Sequence, residues 1–189
     1  MKKHKKPIFI IAVIIAAIFA YFFSGYMSNF PDWEKGKLYM YSIDVGQADS
    51  TLLILPDGET LLVDAGNRED TALVNRFIYN LGIDSLDYVI ATHPHEDHIG
   101  GMSGVIESFD IGCFYMPEVT NNTIYYEDML DALIENDVNV EFPLSGSVIK
   151  DGECKIEVLS PKDKNYVVNR MKRRTFQITI YRRPYGRGT

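Results

Sequence analysis

The sequence predicts an α/β domain of the layered α+β kind, a mixed sheet covered by helices. Three observations carry that expectation. A strong turn signal, Pro56-Asp57-Gly58, separates two short apolar runs and predicts an antiparallel hairpin. Beyond it, strand-like and helix-like segments alternate, the pattern of a sheet with helices laid on it. A chain of 189 residues is also long enough for one domain with a substantial core and an appendage.

The appendage is N-terminal. Lys2, Lys3, Lys5 and Lys6 precede an uncharged stretch from Pro7 to Pro31, whose segment Ile8 to Phe23 is almost wholly apolar. About 20 apolar residues in a helix cross a bilayer, and flanking lysines stay on the cytoplasmic side. We therefore expect a basic cytoplasmic segment at 1–6, a transmembrane or signal-anchor helix at 7–27 and a linker at 28–36. A cleaved signal peptide shares this pattern. Ala17 and Ala20 make no clear small-x-small cleavage site and Phe22-Phe23 extends the run, which favours an uncleaved anchor. The expected partner is the membrane, and the expected location is the cell membrane with the domain outside, or secretion if the helix is cleaved. No protein partner is predictable.

The folded body starts near Lys37. Leu38 to Val45, Ser50 to Leu55 and Thr60 to Val63 read as strands, the last two forming the hairpin. Asp70 to Leu81 places Leu73, Phe77 and Leu81 on one helical face and ends at Gly82. Leu86 to Ala91 reads as a short buried strand, followed by a helix through Met102, Val105, Ile106 and Phe109 with Asp97 as its N-cap. A strand around Ile111 to Met116 and a helix around Tyr125 to Ile134 follow. Val138 to Phe142, Val148 to Ile149 and Lys155 to Leu159 read as further strands. Beyond Pro161 the character changes to a basic tail, 162–189, with one strand-like stretch, Thr175 to Tyr181, that alternates Phe176, Ile178 and Ile180 against polar residues.

Charge is unevenly spread. Residues 34–161 hold 24 acidic against 6 basic side chains, although the whole chain is only -7. Such a body repels a phosphate backbone unless bound cations or a local basic patch reverse the field. Arg173, Arg174, Arg182 and Arg183 could supply one, gripping nucleic acid or anionic lipid; a solvated terminus is the plainer reading. Two cysteines, Cys113 and Cys154, are too few for a disulfide scaffold, and could be one bridge or two small buried hydrophobes.

The densest chemistry lies in His93-Pro94-His95-Glu96-Asp97-His98, which holds three of the four histidines and an aspartate within six residues. Imidazole nitrogen suits zinc, copper and iron, and carboxylate oxygen widens the choice to manganese. Pro94 biases His93 toward extended geometry, where residues two apart share a side, so His93 and His95 can converge on one ion. Gly100 and Gly101 allow close backbone approach. A lone cap or a solvated histidine explains none of this clustering.

Together with Ile43-Asp44-Val45-Gly46-Gln47-Ala48-Asp49-Ser50 and Leu62-Val63-Asp64-Ala65-Gly66, the run His93-x-His95-x-Asp97-His98-Ile99-Gly100-Gly101 resembles the metallo-β-lactamase-fold hydrolases. The wording is most similar to the hydrolase domain of competence (DNA-uptake) proteins of the ComEC type, with Gly-Gln-Ala-Asp where Gly-Gln-Gly-Asp is usual. The resemblance implies the N-terminal part of an αβ/βα sandwich over 37–161. It implies one or two zinc ions, with manganese or iron as alternatives. His93 and His95 match ligands of the first ion, and Asp97 and His98 match ligands of the second. Asp44, Gln47, Asp49, Asp64 and Gly100 match positions that line or support the site. The chemistry implied is hydrolysis of a phosphoester, nucleic acid or smaller, by metal-activated water, with Asp97 also orienting that water. The family draws further ligands from later in its chains, whereas no histidine follows His98 here. A truncated or frame-disrupted form with a weakened site is therefore expected, and the alternative function is a noncatalytic remnant or weak metal-binding module at the cell surface.

Overall fold

The structure is a computed structural model that describes residues 5–27, 31, 33–162 and 175–182; within the first helix, side chains are described for 9–21. The basic residues Lys2 and Lys3, linker residues 28–30 and 32, and tail residues 163–174 and 183–189, with Arg173, Arg174 and Arg183, lie outside the described residues. The chain forms two compact units, Met1–Asp32 and Trp33–Thr189.

The first unit is helix α1, Lys5–Met27. Its described side chains are all exposed, including Phe9, Ile10, Ile14 and Phe19. The helix expected over 7–27 is thus present as a helix. Among the described residues, no helix is long and apolar enough to cross a membrane; the stretch with described side chains, 9–21, is itself shorter than the roughly 20 residues a span requires.

The second unit is built on a six-stranded sheet in the order β1 (Tyr39–Ser42), β2 (Thr51–Ile54), β3 (Thr60–Val63), β4 (Ser85–Ile90), β5 (Asp110–Tyr115) and β6 (Val140–Glu141). The first three strands run antiparallel and the pairs from β3 to β6 run parallel. The Pro56-Asp57-Gly58 turn makes the expected β2–β3 hairpin: Gly58, at φ 94, donates to the Leu55 carbonyl at 2.8 Å. Each parallel crossover carries helix: α2 (Thr71–Asn80), then α3 (Glu96–Ile99) with α4 (Met102–Ile106), then α5 (Ile124–Glu135). A three-stranded antiparallel sheet, β7 (Val148–Asp151), β8 (Cys154–Ser160) and β9 (Gln177–Arg182), completes the unit.

Both faces of the large sheet are covered, because alternate side chains of one strand serve two cores. Leu52, Ile54, Leu62, Val89 and Phe114 join the core that the helices cover, with Val74 and Ile78 of α2 and Met102, Val105 and Ile106 of α4. Leu53, Leu61, Ile90, Cys113 and Tyr115 alternate with them and pack with Cys154, Ile156 and Val158 of the small sheet. Helix, large sheet and small sheet are therefore successive layers of the α/β fold. Both cysteines are buried in the second core and free, so the disulfide alternative falls away.

Three details differ from the sequence expectation. The fully buried face of α2 is Val74 and Ile78, whereas Leu73, Phe77 and Leu81 are only partly buried around it. The helix after β4 is two short pieces, and Asp97 lies inside the first turn of α3 while His95 takes the N-cap position. The tail is not a free appendage: the strand read in Thr175 to Tyr181 is β9, paired with β8 from Cys154 to Ser160. Phe176 enters the second core at 2% exposure, and its N–H donates to the Thr92 carbonyl at 2.7 Å. Burying a phenylalanine side chain stabilises by roughly 1.5–3 kcal/mol, ample reason for this segment to join the sheet.

Candidate metal centre

The site forms because two parallel strands end side by side. Val63 of β3 pairs with Ile90 of β4, and Asp64 N–H donates to the Ile90 carbonyl at 2.9 Å. The loops that follow therefore leave the sheet together, at the carboxyl edge where open α/β sheets hold their ligands. Ala65 N–H donates to the His98 carbonyl at 2.8 Å, and Gly101 N–H to the Gly66 carbonyl at 3.1 Å. That stitching explains the Gly100-Gly101 pair. A Cβ on Gly100 would lie 2.5 Å from the Arg68 backbone nitrogen, and one on Gly101 would collide with the Ala65 carbonyl oxygen.

His93, Asp97 and His98 each place a ligand atom within 4.8 Å of the others. Asp64 stands behind them. It is 3% exposed and at φ 58, a left-handed conformation that aspartate tolerates better than most side chains. A carboxylate buried so deeply needs donors, and it has three. Thr92 N–H donates to Oδ1 at 2.8 Å; the Thr92 hydroxyl and His98 Nδ1–H donate to Oδ2 at 2.6 and 2.7 Å. Because the Thr92 hydroxyl spends its proton on Asp64, its oxygen is an acceptor for His93 Nδ1–H at 3.0 Å. This network fixes both imidazoles as Nδ1–H tautomers and leaves each Nε2 lone pair for a metal, the carboxylate–histidine arrangement of metal sites.

Electrostatics separate the two imidazoles. Burial, then the neighbouring His98 and His95, hold the His93 pKa below the ordinary imidazole value, so its neutral, metal-binding form dominates. Burial also opposes charge on His98, but the hydrogen bond and charge of Asp64, joined by Asp97 and Asp49, outweigh it and raise that pKa. The donor chemistry, two neutral-capable imidazoles and a carboxylate, fits zinc, manganese or iron.

The other residues read as site positions fall as follows. His95 is exposed, its ring centroid 4.6 Å from that of His93, and it is not in the three-residue group. Asp49 reaches the group's edge, its Oδ2 3.5 Å from His98 Nε2, where Asp97 Oδ2 is 3.6 Å away. Asp44 and Gln47 are exposed on the β1–β2 loop. Gly100 is buried beneath the loops. Thr92 is the residue that sequence reasoning missed. Its signal was a hydroxyl at the end of an apolar strand, directly before the first histidine.

Comparison with known proteins places these features in a family. The model of the metallo-beta-lactamase superfamily matches residues 43–166. The anti-Pycsar protein Apyc1 of Saccharibacillus brassicae is 29% identical over 109 residues, 58% of this chain and 40% of its own, so the chain spans less than half the length of that relative. Among solved structures, MEM-A1, a subclass B3 metallo-β-lactamase from a soil metagenome library, superposes with a TM-score of 0.50 at 16% identity, over 85% of this chain and 61% of that one. A metallo-β-lactamase with a HARLDQ motif from Cronobacter sakazakii gives 0.48 at 18% identity, over 67% and 53%. The likeness to MEM-A1 is one of fold alone. With its matched span covering most of the folded unit, both sets of loops included, the chain belongs to the metallo-beta-lactamase superfamily.

Proposed function

We propose that the protein is a metal-dependent hydrolase of a phosphoester, held at the cell surface by α1. The observation that carries this reading is the convergence of His93, Asp97 and His98 within 4.8 Å, with both imidazoles braced from behind by Asp64 and Thr92. Three protein ligands and an open position are the usual composition of a catalytic zinc site. A divalent cation there would supply Lewis acidity toward a phosphoryl oxygen and activate water at neutral pH. His93, Asp97 and His98 would hold the cation, one ligand atom each. The Asp97 side chain, 48% exposed, is open enough to orient water and accept its proton while a substrate approaches.

The substrate class follows from charge. A body with 24 acidic and 6 basic residues over 34–161 disfavours a long polyanion and favours a small phosphoester whose charge the cation offsets. A role in DNA uptake has only the sequence resemblance of the three motifs, 43–50, 62–66 and 93–101, behind it. The anchor reading rests on the sequence alone, on the four lysines that precede the apolar run from Ile8 to Phe23.

The full chain, purified in detergent and loaded with zinc, manganese or ferrous iron, should release p-nitrophenol from bis(p-nitrophenyl) phosphate. His98→Ala should abolish the release. Metal bound without turnover above that of free metal would replace the hydrolase reading with that of a noncatalytic metal-binding module.

A further inference from the structure

We infer that Asp49 is a direct ligand of the metal centre, so that the β1–β2 loop completes a set of two imidazoles and two carboxylates. The inference rests on the reading of His93, Asp97 and His98 as a metal site and adds a donor that the three-residue group lacks.

Distance is the first argument. His98 Nε2 faces Asp49 Oδ2 at 3.5 Å and Asp97 Oδ2 at 3.6 Å. Both separations exceed the roughly 3.2 Å limit of a good N–H···O hydrogen bond, so neither carboxylate is there as a hydrogen-bond acceptor. Each separation taken singly suits two ligands of one ion, which at about 2.0–2.2 Å from it stand roughly 3.4 Å apart. Asp49 stands outside the 4.8 Å group, so its exposed side chain must turn inward to share the ion with His93 and Asp97. With Nδ1 of His98 already donating to Asp64 at 2.7 Å, Nε2 carries the free lone pair, and both carboxylates are drawn up to that atom.

The second argument is how the loop is held. Asp49 N–H donates to the carbonyl of Asp97 at 3.0 Å, and the Asp49 carbonyl accepts from Gly66 N–H at 2.9 Å. Next to it, Ile43 N–H donates to the Ser50 carbonyl at 2.9 Å, and Ser50 is buried. The backbone of Asp49 is thus pinned to both loops that carry the centre, leaving only two side-chain torsions to set the carboxylate. Yet the side chain is 73% exposed. An exposed aspartate on a tightly fixed backbone, beside a histidine nitrogen at the separation of two neighbouring ligands, is placed for coordination rather than for packing. Asp44 shares the same loop and is exposed, and it has no recorded contact with the histidines among the described residues.

Cobalt(II) titration of the full chain tests this, with affinity read by competition against a chelator and coordination read from the visible absorption bands. Asp49→Asn should weaken cobalt binding by about tenfold or more and change the band shape, whereas Asp44→Asn should leave both as in the parent. Asp49→Glu should recover part of the affinity. The metal-free Asp49→Asn protein should melt close to the parent, because the side chain is 73% exposed and its one ionic contact, with His98, is at the surface and worth little to stability. Parent-like affinity and spectrum in Asp49→Asn, with the parent binding cobalt, would overturn the ligand role and leave the three-residue centre standing. A parent chain that binds no cobalt would overturn both. A fall in metal-free melting temperature would make the aspartate structural and also overturn the ligand role.

Discussion

Replacing Asp64 by Asn should disable the centre without touching any residue read as a ligand. The substitution keeps size and tolerates φ 58, so the loop backbone can stay as it is. It removes the charge and one of two acceptor oxygens. If the amide oxygen keeps the Thr92 N–H bond at Oδ1, the amide NH2 faces the Thr92 hydroxyl and His98 Nδ1 where Oδ2 accepted both, at 2.6 and 2.7 Å. His98 can relieve that clash of donors only by becoming the other tautomer, with Nδ1 as acceptor and a proton on Nε2, which takes the lone pair away from the metal. The Thr92 hydroxyl, no longer committed to Asp64, also ceases to hold His93 through Nδ1. Loss of such supporting bonds typically weakens metal binding by about 10–100-fold, or roughly 1.4–2.7 kcal/mol. Fold stability should fall as well, by about 1.5–3 kcal/mol, since the lost bonds are charge-assisted. Isothermal titration of zinc into the full chain in detergent reads the first effect and thermal melting of the metal-free protein the second. Zinc affinity equal to the parent's would refute the tautomer argument.

Two further predictions concern the scaffold. Lys150, 9% exposed, bridges Asp57 at 2.6 Å and Glu59, tying β7 to the β2–β3 hairpin, while Tyr88 donates to Glu59 at 2.9 Å. Burial opposes ionisation of Asp57, but the hydrogen bond and charge of Lys150 prevail and hold its pKa below the ordinary carboxylate value. That contribution is fully present above the unfolded pKa of about 3.9 and is lost as pH falls through the lower folded value. The raised Lys150 pKa acts at the other end: its contribution is complete below about 10.4 and fades only at higher pH. Lys150→Met should therefore cost about 2 kcal/mol at neutral pH, roughly 4–8 °C in melting temperature, and flatten the loss of stability below pH ~4. A parent-like acid limb in that variant would contradict the assignment. Gly101→Ala should destabilise by about 1–3 kcal/mol, because its Cβ would meet the Ala65 carbonyl oxygen, and should weaken zinc binding through the displaced Asp64 loop; an unchanged melting curve would refute the close approach.

What was legible in the sequence is what local chemistry decides. Pro56-Asp57-Gly58 makes its hairpin because the turn residues set the backbone by themselves. The apolar runs of β4 and β5 form strands, buried toward their carboxyl ends. Decisions taken by tertiary contact were not legible. Gly100 and Gly101 split one expected helix into α3 and α4, since the 65–68 loop docks on their bare backbone. That split moves Asp97 from the cap into the helix, with its carboxylate at the metal group. Val74 and Ile78, rather than Leu73 and Phe77, form the buried face of α2, because the angle at which a helix meets its sheet is not written in its own periodicity. Thr92 looked like the last residue of a strand; its role exists only because Asp64, 28 residues earlier, ends the neighbouring strand. The tail's basic composition drew notice, whereas Phe176 and its alternating partners decide where the segment goes.

Zinc retained after exhaustive dialysis of the full chain, counted per chain by elemental analysis beside His98→Ala, tests the metal centre most directly. The parent should keep at least one equivalent and His98→Ala should keep none, with its circular dichroism unchanged. A parent chain that emerges metal-free, or a His98→Ala variant that holds as much zinc as the parent, would contradict the centre built from His93, Asp97 and His98.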